Sequence, residues 1–369
     1  MEYYSLDKIL KTHSEYNLIV GMRSNGKTYA CLLHGLREYI QNHSAMGYIR
    51  RYREDFVGKR GDQLFSALVE NNEVAKLSNN QWTGIVYRAK RWYLTKLEDD
   101  GTVTKDETPF CFGFSLTEME HDKSVSYPNI RTVVFDEFIT RQYYLADEFV
   151  LFENVLSTII RRRTDVTIFM LGNTVNKFCP YFKDMGLRHI TEMAPGTIDV
   201  YKTVKNLKIA VEYCAEAELT TGKENPSNFY FSFDNPKLEM ITGGIWELDI
   251  YPHLPNKYTP KDVCFRYFIE FDEQFLQADI VFLNLKTPVI FTYIHTKTTP
   301  LKYPDTDIVF SLTPTSRPNW FRNILKPSTD IERKICHFFK TYRVFYQDND
   351  VGELVKNYLK VAQKESLLT

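Results

Sequence analysis

Long hydrophobic runs are missing from this 369-residue sequence, and no stretch approaches the roughly 20 apolar residues that a membrane-spanning helix needs. The first ten residues, MEYYSLDKIL, carry acidic side chains where a secretory signal peptide has a basic segment and then an apolar one. We therefore expect a protein of the cytoplasm that has no membrane partner.

Cysteine is also sparse, and the six cysteines form no CxxC pair. The paired spacing typical of zinc ligands is therefore absent, and a disulfide framework is not expected in a reducing compartment. We expect most of these cysteines to be small buried hydrophobic residues.

An excess of either charge is lacking as well, because 46 basic and 47 acidic residues leave a net charge of −1. Net charge therefore does not indicate a nucleic-acid-binding protein. Basic residues are nevertheless concentrated at 50–53, 88–91 and 161–163. Such clusters are as often solvated surface as binding sites, but the first two supply candidate contacts to nucleic-acid phosphates, namely Arg50, Arg51, Arg53, Lys90 and Arg91.

Aromatic side chains are what this sequence has in quantity, at 15% of residues. They favour sheet-rich packing, and the length suits two or three domains. Short apolar runs typical of buried strands alternate with helical patterns in the first half of the chain. They predict strands at 16–20, 46–52, 131–138 and 166–173 and helices at 27–41 and 149–163. This alternation predicts an α/β domain with a mainly parallel sheet over residues 1–203.

The pattern changes after residue 203. Residues 205–214 have apolar positions at helical spacing and lead into a stretch rich in Gly, Asn and Pro, so 204–240 is interpreted as a linker or small connecting subdomain. Apolar runs at 264–271, 279–285 and 288–295 then predict successive strands, and 351–364 predicts a helix. Together they indicate a smaller α+β domain over 241–369.

The most specific motif is GMRSNGKT at 21–28, which matches the P-loop pattern GxxxxGK[ST] and lies between an apolar strand and a helix. Its glycines allow backbone N–H groups to point at a phosphate, and the helix adds its positive N-terminal end. Lys27 would reach the β- and γ-phosphates of ATP, and the Thr28 hydroxyl would bind Mg²⁺. The predicted nucleotide-binding residues are Gly21, Arg23, Ser24, Asn25, Gly26, Lys27, Thr28 and Tyr29.

Two acidic residues, Asp136 and Glu137, lie at the end of the strand at 131–138. Asp136 would complete the magnesium site with Thr28, and Glu137 would orient and polarise the attacking water. Acidic residues often end strands, so this pair alone is weak evidence. It is informative here because a P-loop precedes it in the sequence. A glutamate directly after the aspartate favours ATP hydrolysis over a kinase reaction, since a kinase has no use for activated water.

Three further residues are candidates for the catalytic site. Asn173, after the strand VTIFMLG, would hold the lytic water or contact the γ-phosphate, unless it is an ordinary turn asparagine. Arg161 and Arg163 end the helix at 149–163, where the helix dipole alone favours basic residues. In a ring of subunits this edge would face a neighbour's ATP, so we predict an arginine finger, with Arg161 preferred to Arg163.

These motifs, in this order, resemble the DNA-packaging ATPases of phi-29-like podophages. The resemblance is carried by IRRY at 49–52, KSVSYPNIRTVVFDEF at 123–138, RRR at 161–163 and LGN at 171–173. The Tyr-Pro-Asn segment at 127–129 is the part most specific to that family. The resemblance is good over residues 16–185 and faint afterwards.

The resemblance implies a pentameric ring motor of the additional-strand, catalytic-glutamate class. Such a motor works in the host cytoplasm, docks transiently at the portal vertex of an empty prohead and drives double-stranded DNA inside with ATP. It implies that Arg161 acts in trans and that Lys123 also acts toward a neighbour's nucleotide. It further implies an RNase H-like C-terminal domain without a working nuclease, which contacts the prohead or a structural packaging RNA on it.

Two other functions remain open from the residues. A large terminase would add an active nuclease, which needs three or more carboxylates converging on metal ions in the C-terminal domain. Candidates are Asp234, Glu270, Asp272, Asp279, Asp305 and Asp307, although no spacing singles them out. A nucleotide-regulated phage assembly protein would instead bind ATP and turn over little of it.

Overall fold

The computed structural model of the chain describes residues 4–23, 25–118, 126–140, 144–174, 178–187, 189–214, 251–254 and 257–368. The chain divides into two units after Glu247, and each unit contains its own sheet. No helix in the described part of the chain combines the length and the apolar character that crossing a membrane requires.

Strands and helices alternate in the first unit. The strands are β1 (Tyr16–Gly21), β2 (Ala45–Arg50), β3 (Gly84–Arg88), β4 (Arg91–Leu97), β5 (Val103–Lys105), β6 (Cys111–Ser115), β7 (Ile130–Asp136), β8 (Thr167–Asn173), β9 (Thr197–Lys202) and β10 (Lys208–Tyr213). The helices are α1 (Asp7–Leu10), α2 (Lys27–Asn42), α3 (Lys59–Asp62), α4 (Ser66–Glu70), α5 (Glu73–Leu77), α6 (Glu148–Ile160) and α7 (Pro180–Asp184).

The sheet of this unit has the strand order β3-β4-β6-β2-β7-β8-β1-β10-β9, and β5 pairs with β4. The six strands from β6 to β10 in this order are parallel to their neighbours, and the flanking pairs are antiparallel. The predicted α/β fold with a mainly parallel sheet is therefore confirmed. Because β7, β8 and β1 are successive parallel strands of the sheet, the carboxyl ends of these three strands meet at one edge.

The central strands are continuous apolar runs because both faces of the sheet are covered. On β7, Val133 and Phe135 pack in one layer with Phe152 of α6, whereas Val134 packs in the opposite layer with Leu36 of α2. Strands buried on both faces lack the alternation of a half-exposed sheet. Helices α2 and α6 thus lie on opposite faces, and each starts near the carboxyl edge of the sheet.

The helix predicted at 205–214 was wrong, because residues 208–213 form β10. This strand pairs in parallel with β1, opposite Tyr16 to Val20. A short apolar run fits the helical and the strand period equally, and here the unpaired side of β1 decided the outcome. The sheet of the first unit therefore extends beyond residue 203, into the segment interpreted as a linker. Residues 215–240 of that segment lie outside the described residues.

The second unit contains the predicted strands and the predicted final helix. Its strands are β11 (Val263–Phe271), β12 (Gln274–Leu283), β13 (Val289–Thr296), β14 (Val309–Ser311) and β15 (Val344–Tyr346), and its helices are α8 (Asp330–Lys340) and α9 (Asn349–Leu368). The strand order is β14-β11-β12-β13-β15. Helix α8 was missed, although Thr329 and Glu332 have the T-x-x-E spacing of a capping box. Thr329 does cap α8, since its Oγ1 accepts a hydrogen bond from the Glu332 N–H at 3.2 Å.

Asp279 on β12 is a buried carboxylate of this second unit, at 4% exposure. It accepts hydrogen bonds from Arg266 Nε at 2.9 Å, Gln277 Nε2 at 3.0 Å and the Tyr258 hydroxyl at 3.0 Å. Burial alone would raise the pKa of Asp279, but hydrogen bonds from His295, Arg266, Gln277 and Tyr258 outweigh burial and lower the pKa to about 2. The charged form of Asp279 therefore stabilises the folded unit.

Acid should destabilise the second unit as Asp279 takes up a proton. The ordinary pKa of an aspartate is about 3.9, so the stabilisation is complete above pH ~4 and is lost as the pH falls toward 2. We expect Asp279→Asn to lower the hydrogen-exchange protection factors of β11–β13 amides by about tenfold at neutral pH. The protection factors of this variant should also fall less than those of the unmodified protein as the pH is lowered. Hydrogen exchange of the intact protein, read by mass spectrometry, measures both effects. The exposed Asp305→Asn is the control, and equal acid sensitivity in all three proteins would refute the assignment.

Candidate functional site

The carboxyl edge of the first sheet brings the predicted nucleotide residues together. Gly21 lies opposite Asn173 in the β1–β8 pair, and Asp136 lies opposite Leu171 in the β7–β8 pair. A cavity of about 810 Å³ opens at this edge. Its walls include the predicted residues Arg23, Asn25, Gly26, Lys27, Thr28, Tyr29, Asp136, Glu137 and Asn173, together with Asn71, Glu73 and Lys76 of the α4–α5 region, which sequence reasoning did not select.

The P-loop has the backbone that its glycines permit. Gly26, the residue before α2, has φ +93°, a left-handed conformation that favours glycine. Lys27 follows at 5% exposure, and its Nζ lies 2.7 Å from the Met22 carbonyl oxygen and 3.3 Å from Asn173 Oδ1. Burial lowers the pKa of Lys27, and the negative charge of Asp136 opposes this effect. A buried ammonium group of this kind is stabilised by a nearby anion, and a bound phosphate would be such an anion.

The side-chain oxygens of Thr28 and Asp136 lie close together at the carboxyl end of β7. Thr28 Oγ1 lies 3.2 Å from Asp136 Oδ2 and 3.4 Å from Oδ1. Asp136 is 9% exposed, and burial raises its pKa. A hydroxyl and a carboxylate are the ligand types that Mg²⁺ prefers, and a divalent cation would offset the buried negative charge. These residues therefore fit a magnesium ion.

Tyr48 and Arg50 of β2 complete the surroundings of the two acids. The Tyr48 hydroxyl donates to Asp136 Oδ2 at 2.7 Å. Arg50 Nη2 donates to Glu137 Oε2 at 2.8 Å, and its Nη1 lies 3.7 Å from Asp136 Oδ2. Tyr48 was not selected from the sequence, and Arg50 was assigned to nucleic acid. The structure places Arg50 in the nucleotide site instead, because β2 lies next to β7.

Arg51 is also placed inside the protein. Its side chain is 6% exposed and forms an ion pair with Glu148 at 2.8 Å. A guanidinium enclosed in this way does not reach the phosphates of a nucleic acid. Arg51 is therefore an internal residue of the fold, and the prediction of a nucleic-acid contact for it does not agree with its burial.

Three basic residues of the predicted nucleic-acid set remain nearer the surface. Arg53 Nε lies 3.1 Å from Glu118 Oε1, and Lys90 pairs with the same carboxylate. Arg91 is exposed at the start of β4 and lies over the Phe112 ring at 6.0 Å. Arg53 lies in the segment after β2, Lys90 in the turn between β3 and β4, and Arg91 at the start of β4. Ser24 and Lys123, predicted for the nucleotide site, lie outside the described residues.

Arg161 and Arg163 follow α6 at the opposite edge of the sheet. Helix α6 has 13 residues and is therefore about 20 Å long, and it starts near the carboxyl edge. Arg161 is exposed at its end. The Arg163 guanidinium donates to five backbone carbonyl groups, those of Ile130 at 2.6 Å, Ile159 at 2.8 Å, Pro128 at 3.0 Å, Tyr127 at 3.2 Å and Ile160 at 3.3 Å. Neither arginine lines the cavity of its own chain.

A family model described as Podovirus DNA encapsidation protein (Gp16) matches residues 1–204. The chain belongs to this family. The resemblance expected from the motifs is thereby confirmed over the unit that holds the P-loop.

Known relatives agree with this assignment. The DNA packaging proteins of Bacillus phages phi29 and PZA are each 29% identical to this chain over 185 residues, which cover 49% of this chain and 49% of each relative. The chain thus spans about half the length of the curated relatives it matches. The Phi-28 gp11 DNA packaging motor has the same fold, with a TM-score of 0.54 at 18% identity over 98% of this chain and 97% of the other. The bacteriophage Phi-29 viral genome packaging motor assembly has a TM-score of 0.54 at 19% identity over 96% of both chains.

The two predicted finger arginines should differ in their effect on stability. Arg163→Ala leaves several carbonyl groups without a donor, so we expect a loss of about 2 kcal/mol in the free energy of unfolding. We expect a smaller loss for Arg161→Ala, whose side chain is exposed. Urea denaturation followed by circular dichroism measures both. Equal stabilities of the two variants would argue against a structural role for Arg163.

Proposed function

We propose that this chain is the ATPase of a phage packaging motor that drives double-stranded DNA through the portal into a prohead. The observation that carries the proposal is the meeting of Lys27, Thr28, Asp136 and Glu137 around one cavity at the carboxyl edge of a parallel sheet. Family membership supports the link to encapsidation. The neighbouring relatives are DNA packaging proteins, which supports DNA as the substrate of the motor.

Six residues at or beside the cavity would each have a part in ATP hydrolysis. The N-terminus of α2 and Lys27 would hold the phosphates, and Asn173, 3.3 Å from Lys27 Nζ, would contact the γ-phosphate or the lytic water. Thr28 and Asp136 would hold Mg²⁺, which supplies positive charge against the phosphate oxygens. Glu137 would orient the attacking water, and Arg50 keeps a positive charge beside both acids.

Arg161 supports a ring in which ATP is hydrolysed between subunits. Its exposed position at the far end of α6 is suited to a neighbour's nucleotide and not to that of its own chain. The resemblance to the phi-29-like motors favours a pentamer, and it favours Lys123 as a second residue acting across the boundary. In this proposal Arg163 fixes the end of α6 and so the position of Arg161.

The DNA surface proposed for this motor uses Arg53, Lys90 and Arg91. Such contacts bind phosphates without sequence preference and weaken as salt concentration rises. The motor would work in the host cytoplasm and bind the prohead portal vertex transiently. The prohead or a structural packaging RNA would contact the second unit.

The second unit is proposed to be RNase H-like and to have lost nuclease activity. The oxygens of Asp279, one of the unit's buried carboxylates, are occupied by Arg266, Gln277 and Tyr258. Such a carboxylate is a poor metal ligand, because binding would have to break those hydrogen bonds. Among the described residues, no group of three or more His, Cys, Asp or Glu side chains is arranged to hold a metal ion.

Glu137→Gln tests whether the chain is an ATPase. We expect at least a 100-fold loss of ATP turnover with DNA present, because water activation is lost, while the Kd for nucleotide changes by less than about threefold. Steady-state phosphate release and binding of a fluorescent ATP analogue measure the two quantities. The exposed Glu107→Gln is the control. Little turnover in the unmodified protein, unaffected by Glu137→Gln, would favour the nucleotide-regulated assembly protein.

Mixing of variants tests whether Arg161 acts across a subunit boundary. Arg161→Ala should bind nucleotide normally yet lose most hydrolysis, because an arginine finger stabilises charge only in the transition state. Mixed with Lys27→Ala, it should regain part of the activity, since mixed interfaces pair an intact P-loop with an intact arginine. Arg162→Ala, one position away and also exposed, is the matched control. Absence of any recovery over all mixing ratios would count against the trans role.

A further inference from the structure

Glu137 leaves β7 in a backbone conformation that needs support. Its φ is +59°, which is left-handed and uncommon for a residue other than glycine. Such a conformation is unfavourable for a residue with a Cβ atom, and it persists only where neighbouring groups hold it. The conformation turns the chain at the end of the strand, and it decides where the Glu137 side chain points.

Arg51 supplies that support through the main chain. Its Nη1 donates to the Glu137 carbonyl oxygen at 3.0 Å, and its Nη2 donates to the Phe138 carbonyl oxygen at 2.8 Å. A carbonyl group belongs to the peptide that follows its residue, so holding it fixes ψ of Glu137. The Phe138 N–H in turn donates to the Leu171 carbonyl of β8 at 3.2 Å. Hydrogen bonds to Arg51 and to β8 thus hold the first peptide group after Glu137, and a hydrogen bond to Arg51 holds the second.

The Arg51 guanidinium is itself held in one orientation. Glu148, at 2% exposure, accepts from its Nε at 2.9 Å and from its Nη2 at 2.8 Å. The Glu148 carboxylate also accepts from the Tyr181 hydroxyl at 3.0 Å and from the Leu145 N–H at 2.7 Å. A buried ion pair is weak evidence for stability, since taking two charges out of water costs about as much as their attraction returns. Its orienting effect on the main chain of Glu137 gives it another role.

We propose that Arg51 is a positioning residue for ATP hydrolysis, which sets the direction of the Glu137 carboxylate by holding the two carbonyl groups that follow it. The inference rests on the proposed role of Glu137 in water activation. Lysine cannot replace Arg51, because one ammonium group does not reproduce the planar fork that bonds two carbonyls and a carboxylate together. Glu148 acts with Arg51 by fixing the plane of the fork.

Arg51→Lys in the full-length chain tests the proposal. We expect kcat for ATP hydrolysis with DNA present to fall about 100-fold, as for a misplaced catalytic group, while KM and the Kd for nucleotide change by less than about threefold. Glu148→Gln is a second variant in case Arg51→Lys does not fold, and it should lower kcat about tenfold. Arg322→Lys is the matched control, because the partly buried Arg322 pairs with the buried Glu332 in the second unit. It should leave kcat unchanged.

Combining Arg51→Lys with Glu137→Gln separates this proposal from the role of Glu137. If Arg51 acts through Glu137, the double variant hydrolyses ATP no more slowly than Glu137→Gln alone. Full activity of Arg51→Lys and Glu148→Gln, alongside an inactive Glu137→Gln, would overturn the positioning role and leave the proposed function intact. Parallel loss of nucleotide binding in both variants would also overturn it. An active Glu137→Gln would instead overturn the proposed function, and the positioning role with it.

Discussion

A buried carboxylate is the constraint on which the rest of the site depends. Asp136 ends a strand covered on both faces, and burial raises its pKa. The charged form is stabilised by three groups from two elements: the Thr28 hydroxyl of α2, the Tyr48 hydroxyl of β2 and the Arg50 guanidinium at the end of β2. Arg50 also binds Glu137, so the charge that stabilises the proposed metal ligand also fixes the neighbouring acid.

The two consecutive arginines at the end of β2, Arg50 and Arg51, have different roles. Consecutive strand residues point to opposite faces of a sheet. Arg50 therefore reaches the carboxylates in the cavity, whereas Arg51 reaches the main chain after β7 and the start of α6. Helix α6 begins at Glu148, which holds Arg51, and ends next to Arg161 at the other edge of the sheet. One helix therefore links the residues that position Glu137 to the arginine proposed to act on a neighbouring subunit. A displacement of this helix would therefore move Glu148 at one edge of the sheet and Arg161 at the other.

Local patterns predicted the elements and the central motif well. The P-loop needs glycine freedom, a lysine and a hydroxyl within eight residues of chain, and the central strands need only apolar runs bounded by turns. Two predictions failed for reasons outside their own segments. Residues 208–213 became β10 because β1 offered an unpaired side, and Arg51 was buried although a run of charges at 50–53 has the pattern of a surface.

The sequence by itself determined the proposed nucleotide chemistry, since the proposed phosphate and magnesium binding depends on residue types held at short spacing around Lys27, Asp136 and Glu137. It also determined the family, through motifs whose order and spacing are readable along the chain. Only the tertiary structure decided what each arginine does. Arg50 meets Glu137 across 87 residues of sequence, and Arg51 meets Glu148 across 97. Burial of a charge depends on such distant partners, and no local pattern around residues 50–53 contains them.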